Sequence, residues 1–143
     1  MMTKNELVMY GVGDVAPYRD DLSSSFRHVA PLFQSGDLSF CQLEAVLSEQ
    51  GDLSSCTRMG CSSRPEVAGA LKEAGFDVVS FASNHALDYG RTAFKETLAH
   101  LRDAGLAVTG AGENETIART YPIRTVTMYP GLSEQQLLCF HPG

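Results

Sequence analysis

Short apolar segments and helix-forming segments alternate along residues 6–109, and this alternation limits the folds open to the chain more than any other feature. The predicted strands are the apolar, β-branched or aromatic segments 6–12, 37–43, 77–82 and 106–109. Apolar residues at helical spacing fill the gaps between them. Strand and helix in alternation favour a mainly parallel sheet with right-handed crossovers, covered by helices. We therefore predict an α/β fold.

Amphipathic segments between these strands predict the crossover helices. Residues 20–33 and 90–104 carry apolar side chains at helical spacing. Another helix is predicted to begin at a capping box formed by Ser63 and Glu66. The stretch 48–63 is rich in serine and glycine and has no periodicity, so it predicts a long surface loop.

The composition is that of one globular domain with no affinity for nucleic acid. Its 143 residues, of which 43% are hydrophobic, suffice for a buried core without disulfides or a structural metal. A net charge of -6 opposes a phosphate backbone. The apolar run 7–13 is far shorter than the about 20 residues of a membrane span, and no export signal precedes it. We expect a cytoplasmic protein with no membrane span.

The cysteine pattern indicates reduced thiols. Cys41, Cys56, Cys61 and Cys139 include no C-x-x-C pair, and the sequence shows no export signal that would direct it to an oxidising compartment. We therefore expect free thiols rather than a disulfide or a zinc site.

Polar side chains stand where the predicted strands end. Asp14 closes the first strand, and Glu44 follows the second. Asn84 and His85 follow the third. The carboxyl ends of parallel strands share one edge of the sheet, which is where open α/β sheets bind ligands. Carboxylate and amide oxygens suit a divalent metal such as manganese, magnesium or iron, with an imidazole nearby as proton donor, so we predict a metal site at this edge.

Each of these residues also has a purely structural interpretation. Asp14 would serve to close a turn, and Glu44 would be a solvated residue at the start of the loop. Asn84 would cap a turn beside a partly buried His85. Asp88 is interpreted as the N-cap of the following helix rather than as a catalytic group. The joint placement of the candidates at one edge favours the metal site over these separate interpretations.

A dinucleotide-binding fingerprint competes for the same region. Residues 11–16 match G-x-G-x-x-A after the first strand, a pattern whose glycines let a pyrophosphate approach the backbone. However, Asp14 would place a negative charge against that pyrophosphate, and Pro17 interrupts the helix that should begin there. A Rossmann-like dinucleotide-binding domain is therefore kept only as an alternative.

Taken with their flanking residues, these positions resemble the motifs of the CapA family, bacterial capsule or poly-γ-glutamate synthesis proteins built on a metallophosphoesterase-like domain. The matching motifs are Gly13-Asp14-Val15, Gln42-Leu43-Glu44, the stretch 74–90 around Asn84-His85, Thr97-Leu98 and Gly110-Ala111-Gly112. Gln42 stands where the family has asparagine. The likeness runs from Val8 to Pro122, and the correct order of the motifs argues against an accidental match.

This resemblance implies a four-layer α/β/β/α metallophosphoesterase-like fold and a metal-dependent phosphoesterase-like hydrolase. By similarity, Asp14, Glu44 and Asn84 are metal ligands. His85 is by similarity the catalytic imidazole that stabilises or protonates a leaving oxygen. The implied substrate is a phosphate ester or a related small-molecule or polymer-derived compound.

The chain departs from the family after its first half, because the further strands and histidine-rich metal motifs of the family are absent from it. Residues 1–122 therefore correspond to the N-terminal half of such a domain, and residues 123–143 are expected to form a divergent, poorly ordered tail. His141-Pro142 is too near the end to align with the late motif. The alternative function is that of a truncated, non-catalytic fragment that self-associates through an uncovered sheet edge or binds a partner.

Overall fold

The computed structural model describes residues 6–120, 122–126 and 136–139. The strands are β1 (Met9–Val15), β2 (Leu38–Leu43), β3 (Val46–Leu47), β4 (Ser62–Ser63), β5 (Val78–Ser80), β6 (Ala107–Thr109), β7 (Ile123–Val126) and β8 (Gln136–Cys139). The helices are α1 (Leu22–Phe26), α2 (Ala30–Gln34), α3 (Val67–Glu73), α4 (Gly90–Asp103) and α5 (Glu115–Ala118). The predicted alternation of strands and helices is therefore present, with β3 and β4 as additions.

Parallel strands form the main sheet in the order β1-β2-β5-β6. Met9 lies opposite Leu38, and Val78 of β5 lies between Phe40 of β2 and Ala107 of β6. The expectation of an α/β fold with a mainly parallel sheet is confirmed. β3 and β4 form a separate parallel pair, and β7 and β8 form an antiparallel pair.

The apolar core lies on one face of the main sheet. Every crossover in the sheet steps in the same direction, and right-handed crossovers of that kind place their helices on one face. The core is made by side chains of β2, of β5 and the residue that follows it, and of the helices, namely Cys41, Leu43, Val79, Phe81, Phe33, Val67, Leu71, Leu98 and Leu101. The helices thus hold the sheet from one side, which leaves the ends of the strands open.

The opposite face of the sheet is open at β1. Met9 is 48% exposed, and a Cβ placed on Gly11 or Gly13 would meet nothing within 4 Å. These positions alternate with Tyr10 and Val12, which pack against the core. Among the strands that the structure describes, β1 is also an edge strand of the main sheet, so an open face and an unpaired edge meet there.

The prediction of one continuous helix over residues 20–33 is wrong, because the structure has two short helices there. α1 ends at Phe26 and α2 begins at Ala30. Pro31 lies in the first turn of α2 and has no N–H to donate to the carbonyl of Arg27, so one continuous helix is disfavoured. N–H groups in the first turn of a helix make no intrahelical hydrogen bond, so a proline in that turn is tolerated.

The predicted capping box is also wrong. Ser63 lies in β4 opposite Leu47, and its hydroxyl donates to the carbonyl of Pro17. α3 begins at Val67, and Glu66 precedes it without a side-chain hydrogen bond to the helix. Because Ser63 pairs with β3 and its hydroxyl bonds the segment that follows β1, this hydroxyl does not cap α3.

The thiols that the structure describes are free, as the sequence predicts. Cys41, Cys56 and Cys61 form no disulfide, and the side chain of Cys139 lies outside the described part of the chain. Burial raises the pKa of Cys41 to about 12, so its thiol stays protonated in the folded protein. Cys56 is exposed and is the more accessible thiol.

The expected tail 123–143 lies largely outside the described residues, and His141 and Pro142 are among those outside. Within it, Ile123 of β7 lies opposite Cys139 of β8. Across the ranges 6–120, 122–126 and 136–139, no helix combines the length and the apolar character that crossing a membrane requires.

Thr97 joins α4 to β3 and allows a test of this packing. Its buried Oγ1 accepts a hydrogen bond from the Leu47 N–H (2.9 Å) and donates to the Ala93 carbonyl (2.8 Å). Thr97→Val leaves the Leu47 N–H unpaired, so we expect the free energy of unfolding to fall by about 1–3 kcal/mol in a urea titration. As a control, Thr120→Val removes an exposed hydroxyl bonded to the Thr116 carbonyl and should change the free energy of unfolding by less than about 0.5 kcal/mol. Equal effects of the two substitutions would contradict this role of Thr97.

Candidate functional site

Glu44 lies at the carboxyl edge of the main sheet, immediately after β2. Its N–H donates to the carbonyl of Val15, the last residue of β1 (3.0 Å). Its side chain is only 16% exposed, and Oε2 accepts hydrogen bonds from the Gln42 amide (2.6 Å) and the Ser83 hydroxyl (3.0 Å). Groups at the ends of β1, β2 and β5 therefore hold this carboxylate in place.

His85 lies in the turn after β5, with its ring between two carboxylates. Its N–H donates to the Ser83 hydroxyl (3.0 Å). Nδ1 is 2.6 Å from Asp88 Oδ2, and Nε2 is 3.5 Å from Glu44 Oε1. The side chain is 20% exposed. A carboxylate on each side thus orients the imidazole, which still reaches solvent at the sheet edge.

Asp88 is not the N-cap of the following helix, so the interpretation drawn from the sequence is wrong. The helix that follows it has Tyr89 as N-cap, without a side-chain hydrogen bond. The Asp88 side chain is 6% exposed and turns instead to His85 and to the Cys61 N–H, whose nitrogen lies 3.1 Å from Oδ2. The spacing of three residues between His85 and Asp88 is the one signal in the sequence that could have suggested this pair.

The long loop after β3 supplies the remaining partners of Asp88. Thr57 Oγ1 lies 3.4 Å from Asp88 Oδ1, and the Ser54 N–H donates to the Asp88 carbonyl (2.7 Å). The Cys61 N–H and the Thr57 hydroxyl thus give the buried carboxylate two donors, which offsets the cost of removing it from water, while the Ser54 N–H holds the Asp88 backbone. The loop segment 54–61 therefore fixes the carboxylate that orients His85.

Asp14 and Asn84 lie at the same edge of the sheet but outside this network. Asp14 is exposed near the end of β1, beside a bulge in the pairing with β2, and its register partner is Gln42. Asn84 is exposed next to His85. Within the described residues, neither side chain makes a hydrogen bond or an ion pair. The structure therefore brings Glu44 and His85 into contact and places Asp14 and Asn84 around them without contact.

The donor types at this edge suit a hard divalent cation, but the described residues do not complete a site for one. No group of at least three histidine, cysteine, aspartate or glutamate side chains is arranged to hold a metal ion in the part of the chain that the structure describes. Glu44 Oε2 already accepts two hydrogen bonds, from Gln42 and Ser83. The described residues therefore do not form a complete ligand set for such a cation.

The structural context of the dinucleotide fingerprint is not met. Gly11 and Gly13 lie inside β1, which continues to Val15, and the first helix begins only at Leu22. In a dinucleotide-binding fold these glycines would form the turn that opens a helix, so that its N-terminus meets the pyrophosphate.

A cavity of about 490 Å³ borders Asp14, between the end of β1 and α1. Tyr18 lines it, and the Tyr18 hydroxyl lies 2.6 Å from Cys61 Sγ. Partial burial of the hydroxyl, followed by its hydrogen bond with Cys61, raises the pKa of Tyr18 to about 12. The Tyr18 side chain in the cavity wall therefore remains a neutral phenol at ordinary pH. Its hydrogen bond with Cys61 links it to the loop that holds Asp88.

Comparison with known families agrees with these motifs. Residues 7–132 match the family model described as bacterial capsule synthesis protein PGA_cap. The chain belongs to this family. The resemblance inferred from the motifs is thereby confirmed, and the mainly parallel sheet is consistent with part of a metallophosphoesterase-like fold.

Several curated relatives are similar to this chain. Capsule biosynthesis protein CapA of Bacillus anthracis is 35% identical over 92 residues, which cover 62% of this chain and 22% of that protein. PGA biosynthesis protein CapA of Bacillus subtilis is 30% identical over 90 residues, or 62% and 24% of the two chains. Uncharacterized protein y4sH of Sinorhizobium fredii is 27% identical over 118 residues, or 77% and 26%. The aligned part of this family member thus spans 22% to 26% of the length of these relatives.

The pairing of His85 with Asp88 predicts the tautomer of the imidazole. With Asp88 as acceptor, the neutral ring should carry its proton on Nδ1, visible in long-range proton–nitrogen correlation spectra at alkaline pH. In Asp88→Asn this preference should be lost, and stability should fall by about 1–3 kcal/mol because a buried acceptor is replaced. Asp52→Asn, an exposed substitution, should leave the His85 signals unchanged. Identical His85 signals in Asp88→Asn and the unsubstituted chain would contradict the assigned pairing.

Proposed function

We propose that this chain carries the proton-donating part of a phosphoester-hydrolysing site that acts in capsule or poly-γ-glutamate synthesis. The names of the two Bacillus relatives support the biological role. The observation that carries the chemistry is the placement of His85 at the carboxyl edge of the sheet, hydrogen-bonded to Asp88 and 3.5 Å from a carboxylate oxygen of Glu44. A histidine oriented by a buried carboxylate and open to solvent is an arrangement suited to general acid catalysis.

Asp14, Glu44 and Asn84 would hold a divalent cation such as manganese, magnesium or iron. When bound, the cation would polarise the phosphate and stabilise the negative charge of the transition state. Since no group of three or more histidine, cysteine, aspartate or glutamate side chains is arranged to hold a metal in the described residues, these three side chains would form only part of a ligand set. Affinity for the cation in this chain is accordingly expected to be weak.

His85 would donate the proton that the leaving alcohol requires. Asp88 accepts the Nδ1–H and fixes the plane of the ring, so that Nε2 is the nitrogen that faces the sheet edge. As water attacks phosphorus and the bond to the ester oxygen breaks, a proton on Nε2 would pass to that oxygen, which leaves as a neutral alcohol. Glu44 would assist by placing a negative charge 3.5 Å from Nε2, where the proton is held. The substrate would be a small or polymer-derived phosphate ester.

Calorimetric titration with manganese tests the cation part of this proposal. We expect weak binding to the 143-residue chain, and Asp14→Ala should weaken it by at least about tenfold. Asp103→Ala removes an exposed carboxylate at the end of α4 and serves as the charge-matched control, with no change in affinity. Equal affinities of the unsubstituted chain and Asp14→Ala would refute the role of Asp14.

Self-association of a non-catalytic fragment is a second candidate, favoured by the open face and edge at β1. We propose that a second copy of the chain covers this surface, because an unpaired strand edge beside an open sheet face favours strand addition. Sedimentation velocity should then show association that increases with protein concentration. Gly11→Lys should abolish it, whereas Gly69→Lys on α3, where a Cβ is equally unobstructed, should not. A monomer at all concentrations would exclude this candidate.

A further inference from the structure

The Ser83 hydroxyl contacts both of the residues that the proposed function requires to lie side by side. Ser83 Oγ donates a hydrogen bond to Glu44 Oε2 (3.0 Å) and accepts one from the His85 backbone N–H (3.0 Å). The other oxygen of the same carboxylate, Glu44 Oε1, lies 3.5 Å from His85 Nε2. One hydroxyl oxygen therefore connects the carboxylate to the backbone of the histidine whose ring that carboxylate faces.

The directions of these two hydrogen bonds follow from the chemistry of the groups. A backbone N–H can only donate, an ionised carboxylate can only accept, and a serine hydroxyl has a single proton. The hydroxyl proton must therefore point at Glu44 while a lone pair of Oγ receives the His85 N–H. Donation by the N–H polarises the hydroxyl and strengthens its bond to the carboxylate. Ser83 thus holds the carboxylate in one orientation relative to the backbone of His85.

Ser83 is the donor that relates Glu44 to the turn of His85. The carboxylate oxygen Oε2 accepts from two described donors, the Gln42 amide and the Ser83 hydroxyl. Gln42 belongs to β2, the strand that Glu44 itself follows, so its amide holds the carboxylate relative to that strand. Ser83 lies after β5, in the turn that contains His85. The spacing between the carboxylate and the imidazole therefore depends on Ser83 more directly than on Gln42.

The turn around His85 has backbone hydrogen bonds that do not involve this hydroxyl. The Ala86 N–H donates to the Ser83 carbonyl (3.1 Å). The Asp88 N–H donates to the His85 carbonyl (3.1 Å), and the Asp88 side chain holds Nδ1 of the ring (2.6 Å). Loss of the hydroxyl should therefore release the Glu44 carboxylate, and with it the Nε2 side of the ring, while the turn stays folded.

We propose that Ser83 is a positioning residue for proton donation by His85, because its hydroxyl holds the Glu44 carboxylate beside Nε2. The inference rests on the proposed function, in which Nε2 delivers the proton to the leaving alcohol. The attraction between a carboxylate and an imidazolium weakens as their distance grows, so a released carboxylate orients the Nε2 side of the ring less well. Ser83 therefore acts through Glu44, and it matters for esters whose leaving alcohol is a weak acid and needs the proton.

A double-mutant cycle in nuclear magnetic resonance spectra tests this positioning. At alkaline pH, Glu44→Gln should shift the His85 ring signals because it removes the charge beside Nε2. In the Ser83→Ala background that shift should be at least about halved, whereas Ser83→Thr, which keeps a hydroxyl, should preserve it. Ser80→Ala removes a hydroxyl of β5 that accepts from the Ala82 N–H (3.4 Å) and should leave the shift unchanged. Melting temperatures establish that each variant is folded.

The leaving group provides a second readout, which a merely structural role would not move. Phenyl phosphate and p-nitrophenyl phosphate are similar in shape, but phenolate is a much stronger base than p-nitrophenolate and gains more from a proton donor. With manganese present, Ser83→Ala should lower kcat by about tenfold for phenyl phosphate and by less than about twofold for p-nitrophenyl phosphate. Ser83→Thr should restore the kcat for phenyl phosphate.

The outcomes separate this inference from the proposed function. If both esters are hydrolysed and Ser83→Ala slows them equally, the inference is overturned and the proposed function stands. If neither ester is hydrolysed, the proposed function fails, and the double-mutant cycle decides whether Ser83 positions the carboxylate. Equal shifts of the His85 signals with and without Ser83→Ala overturn the inference in either case.

Discussion

Parallel pairing of β1, β2 and β5 decides where the polar side chains of this chain meet. Because the strands run in one direction, the residues that follow them leave the sheet at the same edge. Glu44 can therefore bond Gln42 of its own strand and Ser83 from beyond β5 with one oxygen. Reversal of a single strand would carry its polar end to the far edge, about 17–20 Å away for a strand of ordinary length, and the network would not form.

The long loop between β3 and β4 is held by the site rather than by a core of its own. Its segment 54–61 gives three hydrogen bonds to Asp88. Gly51, at the start of the loop, has a φ of 88°, and a Cβ there would lie 2.1 Å from the Tyr89 carbonyl oxygen. The close approach of the loop to this turn thus requires glycine. Displacement of the loop would release Asp88, and through it the orientation of His85.

Local composition predicted those parts of the site that depend on where strands end. The β-branched segment 77–82 contains β5, and Asn84 and His85 follow it at the sheet edge as expected. Asp88 was misinterpreted because its role depends on the Cys61 N–H, 27 residues away in the sequence, and no local pattern reveals such a contact. By contrast, the division of the helix over 20–33 follows from Pro31 alone and was open to prediction.

Gln42 stands where the motif that this stretch resembles has asparagine, and the difference has a geometric consequence. Its amide lies 2.6 Å from Glu44 Oε2, which also accepts from Ser83. An asparagine in its place is one methylene shorter, so its amide would stop short of the carboxylate. Both donors bond Oε2, whereas Oε1 is the oxygen that faces His85. The longer amide thus adds a second hydrogen bond to the carboxylate beside the imidazole and fixes its position more firmly.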